Sequence, residues 1–66
     1  MHEVMDKIAR LIREEFEDAP GLRMNVREAS QFWALDEKTC GQALARLHET
    51  GFLTKGDDQR YRQTYH

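Results

Sequence analysis

The sequence predicts a mainly α domain: three helices, a short edge strand and a small C-terminal β-hairpin. Three observations lead there. Apolar residues recur at helical spacing near the start of the chain, two capping-type residues stand ahead of further helical stretches, and Gly51 is followed by a strand, a turn and a second strand. The chain has 66 residues, and one this short buries only about 60% of the surface its unfolded form exposes. A single domain over residues 1–66 is therefore expected, with no deep catalytic cleft.

From Glu3 to about Glu17, Val4, Met5, Ile8, Leu11, Ile12 and Phe16 form one stripe on a helix of period 3.6, and Ala19-Pro20-Gly21 stops it. Leu22-Arg23-Met24 reads as a short edge strand. Asn25-Val26-Arg27-Glu28 has the form of a capping box, so a second helix runs from Val26 to about Ala34, with Val26, Ala29, Ser30 and Trp33 inward and Trp33 as its anchor. Phe32 lies off that stripe; it either covers the rim of the core or stands partly exposed as a contact residue. Asp36 caps a third helix from Glu37 that buries Cys40, Leu44 and Leu47 and ends at Thr50-Gly51. Phe52–Lys55, Gly56–Gln59 and Arg60–Thr64 then read as strand, turn and strand.

The net charge is -2. The acid is concentrated in the first eighteen residues, where Glu3, Asp6, Glu14, Glu15, Glu17 and Asp18 face only Lys7, Arg10 and Arg13; beyond them, bases exceed acids by one. Uncharged runs are far shorter than the roughly 20 apolar residues of a membrane span, and the start lacks the pattern of a signal peptide, so a cytoplasmic location is expected. Cys40 is the only cysteine and forms no internal disulfide; it reads as a core thiol. His2, His48 and His66 are dispersed, and Glu14-Glu15 diverge on a helix, so neither a metal site nor a catalytic carboxylate pair is expected, and no cofactor or small-molecule substrate.

Two segments carry a resemblance. Ala34-Leu35-Asp36-Glu37-Lys38-Thr39-Cys40 joins two helices with a small residue, an apolar residue, a capping residue, two variable positions, Thr and a small apolar residue. Leu44-Ala45-Arg46-Leu47-His48-Glu49-Thr50-Gly51-Phe52-Leu53 leaves the third helix as Leu-x-x-Leu-x-x-x-Gly-apolar-apolar. With this spacing, Asn25 to Arg62 resembles the winged helix-turn-helix domains of prokaryotic transcription regulators. The resemblance implies a module that binds double-stranded DNA and no enzyme, with helix 37–50 in the major groove and the 52–64 wing on the backbone. Gly41 inside the third helix and Asp57 and Asp58 in the wing depart from the family's pattern.

On that reading, the side of the third helix opposite its buried residues presents Lys38, Thr39, Gln42, Arg46 and Glu49. Gln42 suits an adenine edge; Lys38 and Arg46 suit guanine acceptors or phosphates. In the wing, Arg60 and Arg62 project together with Tyr61 opposite, and with Lys55 form a phosphate clamp. The competing use of Arg60 and Arg62 is salt bridging to Asp57, Asp58 or the acidic first helix. The rival function is a protein-interaction domain of the same fold, acting through the first helix or Phe32, and the 3–17 helix is also the expected surface for a homodimer or protein partner.

Overall fold

The computed structural model describes residues 3–64. Its first element, α1 (Glu3–Asp18), sends Ala9, Ile12 and Phe16 fully into the core and half-buries Met5 and Ile8. Two members of the expected stripe fall outside it: Val4 is 72% and Leu11 58% exposed. Seven residues apart, they share one line along the helix. That line lies past the edge of the packed face, because α1 rests chiefly on α3 (Glu37–Glu49) and otherwise on β3 (Tyr61–Gln63). Ala9, absent from the expected stripe, is buried in that packing.

Strand β1 (Arg23–Met24) leads into α2 (Val26–Phe32). The capping box is present in full: the Glu28 N–H donates to Asn25 Oδ1 at 2.7 Å and the Asn25 N–H to Glu28 Oε1 at 3.0 Å. α2 ends before Ala34, earlier than its apolar pattern predicts. Ala34 takes φ 55, and the Leu35 N–H turns back to the Ser30 carbonyl at 2.9 Å, a Schellman-type exit that closes the helix. Trp33, expected as the anchor, is only half-buried against the core, its ring edge-on to the exposed Phe32; the large fully buried side chains are Phe16, Ile12, Leu44, Leu53 and Cys40.

α3 starts on Asp36, whose carboxylate accepts from the Thr39 N–H at 2.9 Å. It buries Cys40, Ala43, Leu44 and Leu47. Gly41 faces α2, where a Cβ would stand 3.7 Å from Val26 Cγ1, an ordinary contact. The exit repeats that of α2 with the residue the geometry favours: Gly51 sits at φ 86, and the Phe52 N–H donates to the Leu47 carbonyl at 3.1 Å.

The chain closes with β2 (Leu53–Lys55) and β3, which enters between the two earlier strands to give an antiparallel sheet of order β1-β3-β2. Register fixes its two faces: Met24, Tyr61 and Leu53 are buried against the helices, while Arg23, Arg62 and Thr54 align on the outer face. Among the described residues no helix is long and apolar enough to cross a membrane.

Candidate nucleic-acid interface

The residues expected to face a ligand do not share one fate. Lys38 and Gln42 are exposed on α3, away from its buried line, and Glu49 is exposed with them. Thr39 belongs to the cap instead, its hydroxyl donating to Asp36 Oδ1 at 2.7 Å. That hydroxyl, together with the Thr39 N–H, holds the Asp36 carboxyl below its ordinary pKa. Arg46 turns from the outer face to the α1–α3 seam, where its guanidinium donates to Asp6. The acidic first helix thus takes up one of the bases assigned to DNA.

In the wing, the Gly56 N–H donates to the Arg60 carbonyl at 2.9 Å and the Gln59 N–H to the Gly56 carbonyl at 3.0 Å, with Gln59 at φ 66. Asp58 folds back on this loop: its Oδ1 accepts from the Arg60 N–H at 3.0 Å and stands where a Cβ on Gly56 would meet it at 2.9 Å. One of the two wing aspartates is therefore part of the turn's own hydrogen bonding. Arg60 spans to α2, its Nε 3.1 Å from Glu28 Oε1 and its Nη2 3.2 Å from Oε2, a two-pronged pair. The Asn25 N–H, and then Arg60, hold the Glu28 carboxyl below its ordinary pKa. Arg60 is thus salt-bridged, the competing use of this side chain, but to Glu28 rather than to Asp57, Asp58 or a first-helix acid.

Lys55 places its ammonium 5.6 Å from the centre of the Tyr61 ring. Arg62 is exposed on the outer sheet face directly across from Arg23, and the two line an open groove of about 460 Å³ with Lys55, Arg60 and the 56–58 loop. Arg23 is the residue that sequence reasoning missed. It stands in a two-residue strand, and only the β1–β3 register brings it beside Arg62.

His48 sets its Nδ1 3.0 Å from the Leu53 carbonyl oxygen and its ring edge-on to Tyr61, so it joins α3 to the sheet. Burial, and secondarily the Asp36 carboxylate, push the Cys40 thiol above its ordinary pKa, the opposite of what a nucleophile needs. Among the described residues no three His, Cys, Asp or Glu side chains gather as metal ligands; His2 and His66 lie outside the described residues. No family model, curated protein or solved structure matches the chain.

Proposed function

We propose that the chain is a winged helix-turn-helix module of a cytoplasmic transcription regulator, one that binds double-stranded DNA without catalysing a reaction. Residues 37–50 enter the major groove and the 52–64 hairpin lies on the backbone. The observation that carries this reading is the order of the elements around α3. A capped helix follows α2 after a tight turn, carries Lys38 and Gln42 outward, and exits at Gly51 into a hairpin whose arginines border a groove. Gln42 supplies an amide able to pair with an adenine edge, and Lys38, at the entering end, a charge for a phosphate or a guanine. The pairing of Arg46 with Asp6 moves the burden of phosphate binding from α3 to the hairpin.

The test is titration with mixed-sequence duplex DNA at about 50 mM and about 200 mM salt, followed by backbone amide shifts. Shifts at Lys38, Gln42 and residues 55–62 that weaken with salt are expected. Silence there at millimolar protein would sink the reading.

A second reading has its own observation. Val4 and Leu11 form an exposed apolar line on α1, the form of a surface that docks on another protein. Shifts confined to α1 on adding cell extract, with none on adding DNA, would favour it.

A further inference from the structure

We infer that Arg23 and Arg62, side by side on the outer face of the sheet, form a phosphate-binding site that holds one phosphodiester of the DNA backbone. The inference rests on the DNA reading and adds to it a contact that lies outside both α3 and the wing turn. Residues directly opposite on antiparallel strands have Cβ atoms about 4.5–5.5 Å apart, and like charges there repel. Arg23 and Arg62 are such a pair, and among the described residues no carboxylate lies within salt-bridge distance of either. The third position of the rung is Thr54, whose hydroxyl is 2.6 Å from that of Thr64 and carries no charge to offset them.

Three other arginines have an acid: Arg13 has Glu17, Arg46 has Asp6, and Arg60 has Glu28. On the outer rung two arginines stand directly opposite each other, both lining the groove, with no acid paired to either among the described residues. A phosphate is the complement of that arrangement, since each planar guanidinium can donate in parallel to two of its oxygens. Lys55 and Arg60 line the same groove, and its open shape admits a chain of phosphodiesters passing along the wing. Four bases, Arg23, Lys55, Arg60 and Arg62, line the groove against two acids, Asp57 and Asp58, so its lining is net positive in a chain of net charge -2.

The experiment measures duplex affinity across a salt series for the wild type, Arg23→Gln, Arg62→Gln and the Arg23→Lys/Arg62→Lys double variant, with amide shifts recorded for duplex and for inorganic pyrophosphate. All the altered side chains are exposed, so the variants fold. The expected result is duplex-induced shifts at Arg23, Thr54 and Arg62. Each Gln variant should weaken binding about tenfold whatever the DNA sequence and flatten the salt slope by about one, while the Lys variant keeps the slope. Unchanged affinity and slope in both Gln variants, with shifts confined to α3 and residues 56–59, would overturn the rung as a site and leave the DNA reading standing. If duplex moves no amide anywhere, the DNA reading fails and pyrophosphate decides the rung. Shifts there that vanish in Arg23→Gln uphold a phosphate site, and silence overturns it.

Discussion

The α1–α3 seam and the outer face of the sheet each hold an arginine that the sequence points outward, and they treat it in opposite ways. At the seam, Arg46 meets Asp6 across two helices and its charge is matched. On the sheet, Arg62 meets Arg23 across two strands and its charge is doubled. What separates the two arginines is which element packs alongside: α1 brings Asp6 to Arg46, and β1 brings Arg23 to Arg62. A positive surface is therefore set by register and packing more than by the number of bases, and an acidic chain can still present a local cationic face.

Duplex binding offers the largest opportunity to break this comparison. Charge-assisted hydrogen bonds contribute about 1.5–3 kcal/mol each, so Arg23→Gln/Arg62→Gln should lower duplex affinity on the order of a hundredfold at low salt, while Arg46→Gln changes it less than about threefold. An equal loss in both, by fluorescence anisotropy, would erase the distinction between seam and sheet.

The two turns that hold α3 between these regions give the next effect. Both use a positive φ, one with Gly51 and one with Ala34. Gly51→Ala should destabilise by about 1–2 kcal/mol, since nothing crowds the site and the strain is purely conformational. Ala34→Gly should stabilise by about 0.5–1 kcal/mol, the relief of strain being partly offset by a freer unfolded chain. Urea midpoints decide both.

Smaller still, the pairs themselves should show opposite signs in stability. Arg46→Gln should destabilise by up to about 1 kcal/mol as an exposed ion pair is lost, and Arg23→Gln should stabilise by about 0.2–1 kcal/mol as repulsion is relieved. Both differences should shrink in about 1 M salt. Same-signed effects in low-salt urea melts would contradict the contrast.

The last test concerns Glu28, which binds α2's cap to the wing through Arg60. Its folded-state pKa is lowered, so its contribution is present above the unfolded value and is lost as pH falls through the folded one. Wild-type stability should drop on acidification from about pH 5 to about pH 3, and Glu28→Gln should show a shallower drop. Identical pH profiles would remove Glu28 from that linkage.

What the sequence disclosed follows the range of each interaction. Asn25 with Glu28, and Asp36 with Thr39, are three residues apart, so their caps are written in the local order of side chains and the structure repeats them. The exit at Gly51 is legible for the same reason. Ala34 is not, because alanine gives no sign of a left-handed conformation; the turn adopts it so that Leu35 can bond Ser30 and α3 can start at Asp36. Val4 and Leu11 fall outside the buried face because periodicity gives the direction of an apolar face but not its width, which depends on how much of α1 its neighbours cover. Arg23 required a strand pairing between distant parts of the chain, and no local pattern encodes that partner.

The central place of β3 carries a consequence for the order in which the sheet assembles. β2 and β3 are joined by a short turn and can close early, whereas β1 must find β3 across both intervening helices. The clasp of a two-residue strand is thus the late and fragile step. An anion bridging Arg23 and Arg62 would act as a stitch across that clasp, slowing its opening, so that amide exchange in residues 23, 24 and 61–63 should report occupancy of the outer rung before any change in the helices is seen.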